Sequence, residues 1–494
     1  MREVDSSSAD DDWGFITARA KPSGQSATNK DALADLIEAD SVEKTEPVKN
    51  VLGSRLNSWG DQSSMDQLRQ RARPISLAIA AVFILGYINE IVAGARFVSL
   101  LGAKAVIIIY PLAGLGLIGV ALLQITWIDK LPRDKALSRV TIAYAIGFVV
   151  GLILVAFPQT TVFGSGFIWL FADQLNFLLP LIVWAMAGDI FSAGEGRKIY
   201  PSITQWQYGG QLIGLAISAL APFVLIPLRV PLPFLLLVCP VGLIGLGILV
   251  PRALKGKPLS QGHGREENTL ASLKSAWSFV GGVKAFTAMF STSVLVFIAG
   301  MIYKGSFLSD SAAIVNDPAK LQIIYGLTMI AVFTMCGILQ RFFTTKILER
   351  FTIPGALLIL PIMATVCGIF MAWGLNGGLG IKPNFLPFLI IGIIAWWVPR
   401  WSVDDVARRT ALAVVPNERR ARVSFIIDLL PICLGLILAG LAIGLTYWTG
   451  KTGLAPLVAL PFALMAIYPA RIMASQWDKA MLNPLLRIRK RLSD

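Results

Sequence analysis

From Pro74 to about residue 474 the sequence alternates long apolar runs with short polar turns. Twelve runs can be drawn, over about residues 75–95, 105–127, 138–157, 166–191, 202–227, 231–251, 284–303, 320–342, 353–374, 384–402, 422–447 and 454–474. Each is close to the roughly 20 residues that a helix needs to cross a hydrocarbon core. The runs are apolar around most of their circumference, unlike the single apolar stripe of a helix on a water-soluble protein. The pattern predicts an all-α membrane protein with twelve transmembrane helices. Residues 1–73 are hydrophilic and rich in Ser and Asp, and are expected to form a disordered cytoplasmic tail without a cleavable signal segment. Two short apolar islands interrupt that tail, at residues 13–16 (WGFI) and 32–39 (ALADLIEA). A polar stretch over 252–283 is expected to be a cytoplasmic linker between two six-helix halves, 74–251 and 284–474, and residues 475–494 a basic cytoplasmic tail.

Composition agrees with the pattern. The chain of 494 residues is 55% hydrophobic and only 15% charged, where soluble domains are about 25% charged. Its net charge is +14, which in a soluble protein would suggest nucleic acid. Here the basic residues concentrate in alternate turns and in the C-terminal tail. That bias holds cytoplasmic loops against an anionic leaflet, and it predicts that both termini are cytoplasmic with no nucleic-acid partner. Four cysteines, Cys239, Cys336, Cys367 and Cys433, lie within apolar runs and read as buried free thiols. The only histidine, His263, lies in the linker, so neither a metal site nor a cofactor is expected.

The two halves echo each other. A charged turn follows the second run (Asp129, Lys130, Arg133, Asp134, Lys135) and the eighth (Lys346, Glu349, Arg350). Another follows the fourth run, GEGRKIYP over 194–201, and the tenth, VPNERRAR over 415–422. Two parallel six-helix repeats joined by a linker resemble the layout of the major facilitator fold, in which the halves rock about a site near the bilayer midplane.

Candidate chemistry lies in the polar residues within the runs. An ionised side chain at bilayer depth costs roughly 2.5–3.5 kcal/mol on insertion scales, so such residues should face a cavity or one another. The ionisable candidates are Glu90, Asp173, Asp189, Asp404, Asp405, Arg408, Arg409 and Asp428. Asp189, Asp404 and Asp428, near run ends, read as partners for neighbouring arginines. Asp173 and Asn176 are three residues apart and share a helix face, with Gln174 beside them. Neither Glu90 nor Asp173 has an opposite charge within one helical turn. They are expected either to line a polar cavity or to lock helices, Asp173 through Arg96 or Arg229 and Glu90 through Arg96. No GxSxG, HExxH or P-loop pattern occurs, so no enzyme is indicated.

Three stretches resemble the nucleotide transporter family, the ATP/ADP exchangers of plastids and intracellular bacteria: the turn over 194–201, the segment from Gln340 through Pro361, and the segment from Val403 through Asp428. Residues 94–105 are weakly similar as well. The resemblance implies a bacterial inner-membrane carrier, with Glu195 and Arg197 at matching positions and Arg408 near a lysine important in the exchangers, where it is expected to supply a phosphate-facing cation. Arg408 otherwise reads as a helix-end residue paired with Asp404 or Asp405. Glu90 departs from the pattern, standing where the family carries a cation. The reading that follows is a secondary active transporter of an organic anion, with nucleotides as the leading substrate class. Its expected substrate-binding residues are Glu90, Arg96, Asp173, Gln174, Asn176, Glu195, Arg197 and Arg408. Glu195 is also expected to pair across the halves with Arg419 in the outward-open state. The alternatives are a proton-coupled carrier of another small metabolite, with the coupling proton on Glu90 and Asp173, and a non-transporting assembly factor.

Overall fold

The computed structural model describes residues 62–126, 131–191, 193–256, 259, 269–375, 386–412, 415, 422–450 and 454–493. The expectations for the tail up to residue 61, His263 and Arg419 therefore lie outside the described residues.

Twelve helices are long and apolar enough to span a bilayer: α1 Met65–Leu101, α2 Ala103–Leu123, α3 Arg133–Ala156, α4 Thr161–Ile190, α5 Lys198–Leu225, α6 Leu232–Ala253, α7 Lys284–Val315, α8 Pro318–Phe342, α9 Lys346–Gly374, α10 Leu386–Leu412, α11 Arg422–Trp448 and α12 Ala455–Trp477. They form two six-helix halves, as the run pattern predicts. Turn chemistry fits the short connections. Gly102 takes the left-handed conformation (φ 58°) that a residue without Cβ adopts freely, between α1 and α2. Asn316 (φ 51°) ends α7, and the Asp317 carboxylate then accepts from Ala319 N at 2.8 Å to cap α8. In the linker region, Thr269–Gly282 is a helix ahead of α7, and the final helix continues beyond the span to Ser493.

Several spans are longer than the hydropathy runs, α1, α7 and α10 among them. α7 continues from residue 303 to Val315 because Ser306, Ser309, Asp310 and Ser311 turn into protein, not lipid. α10 continues to Leu412 through a π-helical turn at Arg400–Asp404, and α11 carries another at Phe425–Leu429. Such turns displace side chains from the regular helical positions and recur at functional sites.

The halves meet along two seams, α2 with α11 and α5 with α8. At the end that carries the Gly102 and Asn316 turns, the seams are tight. Gln322 Nε2 donates to the Ser218 carbonyl at 2.7 Å, and Lys104 lies 5.8 Å from the Tyr447 ring centroid. A Cβ on Gly305 would meet Ile443 at 2.4 Å and Val106 at 3.0 Å. Gly305→Val is therefore expected to destabilise this closure by about 1–3 kcal/mol, a typical overpacking penalty. A cysteine introduced at the buried Ser218 should then label several-fold faster with a membrane-impermeant maleimide; unchanged labelling would show that the seam does not close this end.

Candidate functional site

The polar residues at mid-depth converge where the halves meet. Glu90, on α1, is buried, and its carboxylate is fully engaged. Oε1 accepts from Lys304 Nζ of α7 at 3.1 Å and from Tyr325 Oη of α8 at 2.9 Å. Oε2 accepts from Asn176 Nδ2 of α4 at 3.1 Å. One carboxylate thus ties α1 and α4 of the first half to α7 and α8 of the second. Gly86, one turn before Glu90, makes the room: a Cβ there would lie 1.8 Å from Asn176 Oδ1.

Asp173 lies one helical turn from Asn176 on α4, in the electrostatic field of both Glu90 and Lys304. The Tyr87 hydroxyl of α1 and the buried Tyr110 of α2 share that field. The cluster holds two carboxylates and one ammonium. The side chains of Lys304 and Glu90 remain 14% and 10% exposed. They sit between the halves.

Gln174 turns the other way and donates to the Ala113 carbonyl of α2 at 3.2 Å. Arg96 donates to Thr161 Oγ1 at 3.0 Å, fastening the end of α1 to the start of α4. The structure gives Glu90 a partner other than Arg96, namely Lys304. Glu195 pairs within the first half, 2.8 Å from Arg71, which also donates to the Ile190 carbonyl. The side chain of Arg197 lies outside the described residues.

Arg408 belongs to a second buried network, inside the second half. Its Nη2 lies 2.5 Å from Asp404 Oδ2, its Nη1 donates to Ser293 Oγ, and its Nε is 3.8 Å from Asp428. Arg400 reaches the same Asp404 oxygen at 3.3 Å and Asp405 at 3.5 Å, with its guanidinium 4.9 Å from the Phe297 ring centroid. Asp404 therefore sits between two arginines. Asp189 lies 3.9 Å from Arg133, a pairing of the kind its position near the run end suggests.

Three participants were not among the sequence candidates. The seventh run ends at residue 303, one position before Lys304. The signal was present: apolar character resumes after Lys304-Gly305-Ser306. Arg400 lies within the tenth run and was passed over. Tyr325 gave no signal, because a tyrosine in an apolar run is ordinary helix packing.

The arrangement suits exchange of ionic partners.

No protein-family model matches the chain, and no curated protein sequence matches it. Solved structures do match. A POT family transporter in complex with 5-aminolevulinic acid superposes with a TM-score of 0.58 at 13% identity, over 81% of this chain and 96% of that one. The nucleoside transporter NupG gives 0.56 at 15% identity, over 82% of this chain and 99% of that one. A bacterial homologue of the human lysosomal transporter Spinster, inward-facing and unoccupied, gives 0.50 at 13% identity, over 85% and 98%. Twelve spans in two six-helix halves, matched over nearly the whole length of these structures, give this chain the major facilitator fold.

Proposed function

We propose that the chain is a secondary active transporter whose substrate carries an anionic group and moves together with a proton. The observation that carries this reading is the Glu90–Lys304 pair, which joins the two halves at mid-depth beside a second carboxylate, Asp173. Lys304 is the cation of this cluster among the described residues, and Glu90 occupies it. A substrate anion takes Lys304 only when Glu90 is neutralised, and a proton does that without adding bulk. The groups facing Glu90 are Lys304 on α7, Tyr325 on α8, Asn176 and Asp173 on α4, and Tyr87 on its own helix. Intramembrane carboxylates serve as proton relays in other carriers.

The bias of basic residues toward alternate turns supports cytoplasmic termini in a bacterial inner membrane. The tight Gly102/Asn316 end then faces outward. Alternating access requires this closure to open in the course of transport, with 74–251 and 284–474 as the moving halves. Of the residues expected at the site, Glu90, Asp173 and Asn176 act on substrate or proton, whereas Arg96, Gln174, Glu195 and Arg408 hold the frame.

A polyphosphate nucleotide fits this centre poorly, since one lysine already paired to a carboxylate meets little of its charge. That weighs against ATP/ADP exchange and leaves a smaller anion. A second reading rests on Asp173, which is in excess over the available cation: a zwitterion would place its amine there and its anionic group on Lys304.

Reconstitution into proteoliposomes tests the proposal. Uptake of a labelled panel of monocarboxylates, amino acids and nucleoside monophosphates is expected to accelerate with an inside-alkaline gradient for at least one member. Absence of both gradient-driven uptake and counterflow across the panel would remove the transport reading.

A further inference from the structure

Aromatic rings lead from the first half across to Lys304. Tyr87 of α1 meets Phe333 of α8 edge to face, with centroids 5.5 Å apart. Phe333 lies 6.4 Å from Trp401 of α10, and Trp401 lies parallel to Trp397, one turn earlier, at 5.9 Å and 7°. Lys304 Nζ stands 5.9 Å from the Trp397 ring centroid. The series therefore ends beneath the ammonium group that binds Glu90.

Two features distinguish it from ordinary helix packing. It crosses between the halves, from α1 to α8 and α10, and its members Tyr87, Trp397 and Trp401 keep part of their surface exposed. Trp397 and Trp401 pack against a small core of Val332, Cys336 and Val398, which fixes them from one side. The second feature is polar. Trp397 Nε1 is buried without a hydrogen-bond partner, a donor left for an acceptor. Further along, Gln340 Nε2 spans from the Trp401 carbonyl at 2.9 Å to Tyr208 Oη of α5 at 3.0 Å, closing the strip against the first half.

Resting on the transport reading above, we infer that the substrate is an aromatic or heteroaromatic acid. Its anionic group binds Lys304 and its ring lies against Trp397 and Trp401. The 5.9 Å between ammonium and indole admits a carboxylate or phosphate joined to a ring by a short link. A planar ring gains from these faces through offset or edge contacts, which a saturated ring of the same size does not offer.

Calorimetric titration of the purified full chain in detergent tests the inference without any transport step. The probes are phenylacetate, indole-3-acetate and phenyl phosphate, with cyclohexylacetate as the saturated counterpart of phenylacetate. At least one aromatic acid is expected to bind about tenfold more tightly than cyclohexylacetate, the range of one or two aromatic contacts. Preference for phenylacetate or for phenyl phosphate identifies the anionic group. In Trp397→Leu and Trp401→Leu the preference is expected to fall to about twofold or less, and Trp401→Phe should restore most of it; the wild-type comparison stands even if a Leu variant does not fold. Equal binding of phenylacetate and cyclohexylacetate, or no binding of any aromatic probe, overturns the inference. Aromatic binding without counterflow would overturn the transport reading and leave this one; counterflow of a non-aromatic anion with no aromatic preference would do the reverse.

Discussion

Lys304→Ala is expected to abolish uptake and to destabilise the protein by about 3–5 kcal/mol, the usual effect of removing one partner from a buried ion pair. The loss follows from what remains. Glu90 would keep Tyr325 and Asn176 as donors but lose its ion-pair partner, with Asp173 in the same field. Two carboxylates then share one field without the lysine between them. Adding Glu90→Gln to Lys304→Ala removes the unpaired charge. The double variant should recover a large part of the stability, a coupling within the roughly 0.5–3 kcal/mol seen for contacting residues. Uptake should not recover, because the cation for the substrate is still missing. Thermal unfolding in detergent measures the first effect and proteoliposome uptake the second. Equal stability of the single and double variants would show that the pair holds nothing together.

The next largest effect is expected at Asp404. It accepts from Arg408 at 2.5 Å and lies 3.3 Å from Arg400, and all three are almost wholly buried. Asp404→Asn would leave two guanidinium groups sharing Asp405 and Asp428 at 3.5 and 3.8 Å. A loss of about 3–5 kcal/mol follows, again from an uncompensated buried charge. Arg408→Lys separates this structural role from a substrate contact. Lysine keeps the charge but cannot reach Asp404, Ser293 and Asp428 together, as the planar fork does. Its effect should appear in the unfolding midpoint, with KM for the best substrate changed by less than about twofold, because the network lies within one half. A KM effect without a stability effect would place Arg408 at the substrate.

The twelve spans were legible because membrane helices are written in one variable, the length of an apolar run. The two-half layout was legible for a related reason, since charged turns recur at matching places. The site was half legible. Glu90, Asp173 and Asn176 stood out because polar groups are expensive at that depth, and the structure gathers them. Lys304 was hidden by the same rule that found the spans: a lysine beside Gly305 and Ser306 looks like the edge of a run. Its cost is offset by Glu90, 214 residues away, and no local pattern reports a partner at that distance. Glu195 shows the converse. Its turn suggested a contact across the halves in the outward-open state, but Arg419 lies outside the described residues, among which Glu195 meets Arg71 at the start of α1. Arg408 read equally well as a phosphate ligand or as a partner of Asp404, because charge alone does not say which way a guanidinium turns.

The central claim is that protonation of Glu90 releases Lys304 to the substrate. Glu90→Gln imitates the protonated side chain permanently and leaves Asp173 to balance Lys304. Accumulation of the best substrate, with and without an inside-alkaline gradient, measures the claim directly in wild-type and Glu90→Gln proteoliposomes. The gradient should raise accumulation in wild type and leave the variant unchanged, while substrate-for-substrate exchange continues in both. An equal response to the gradient in the two proteins would contradict it.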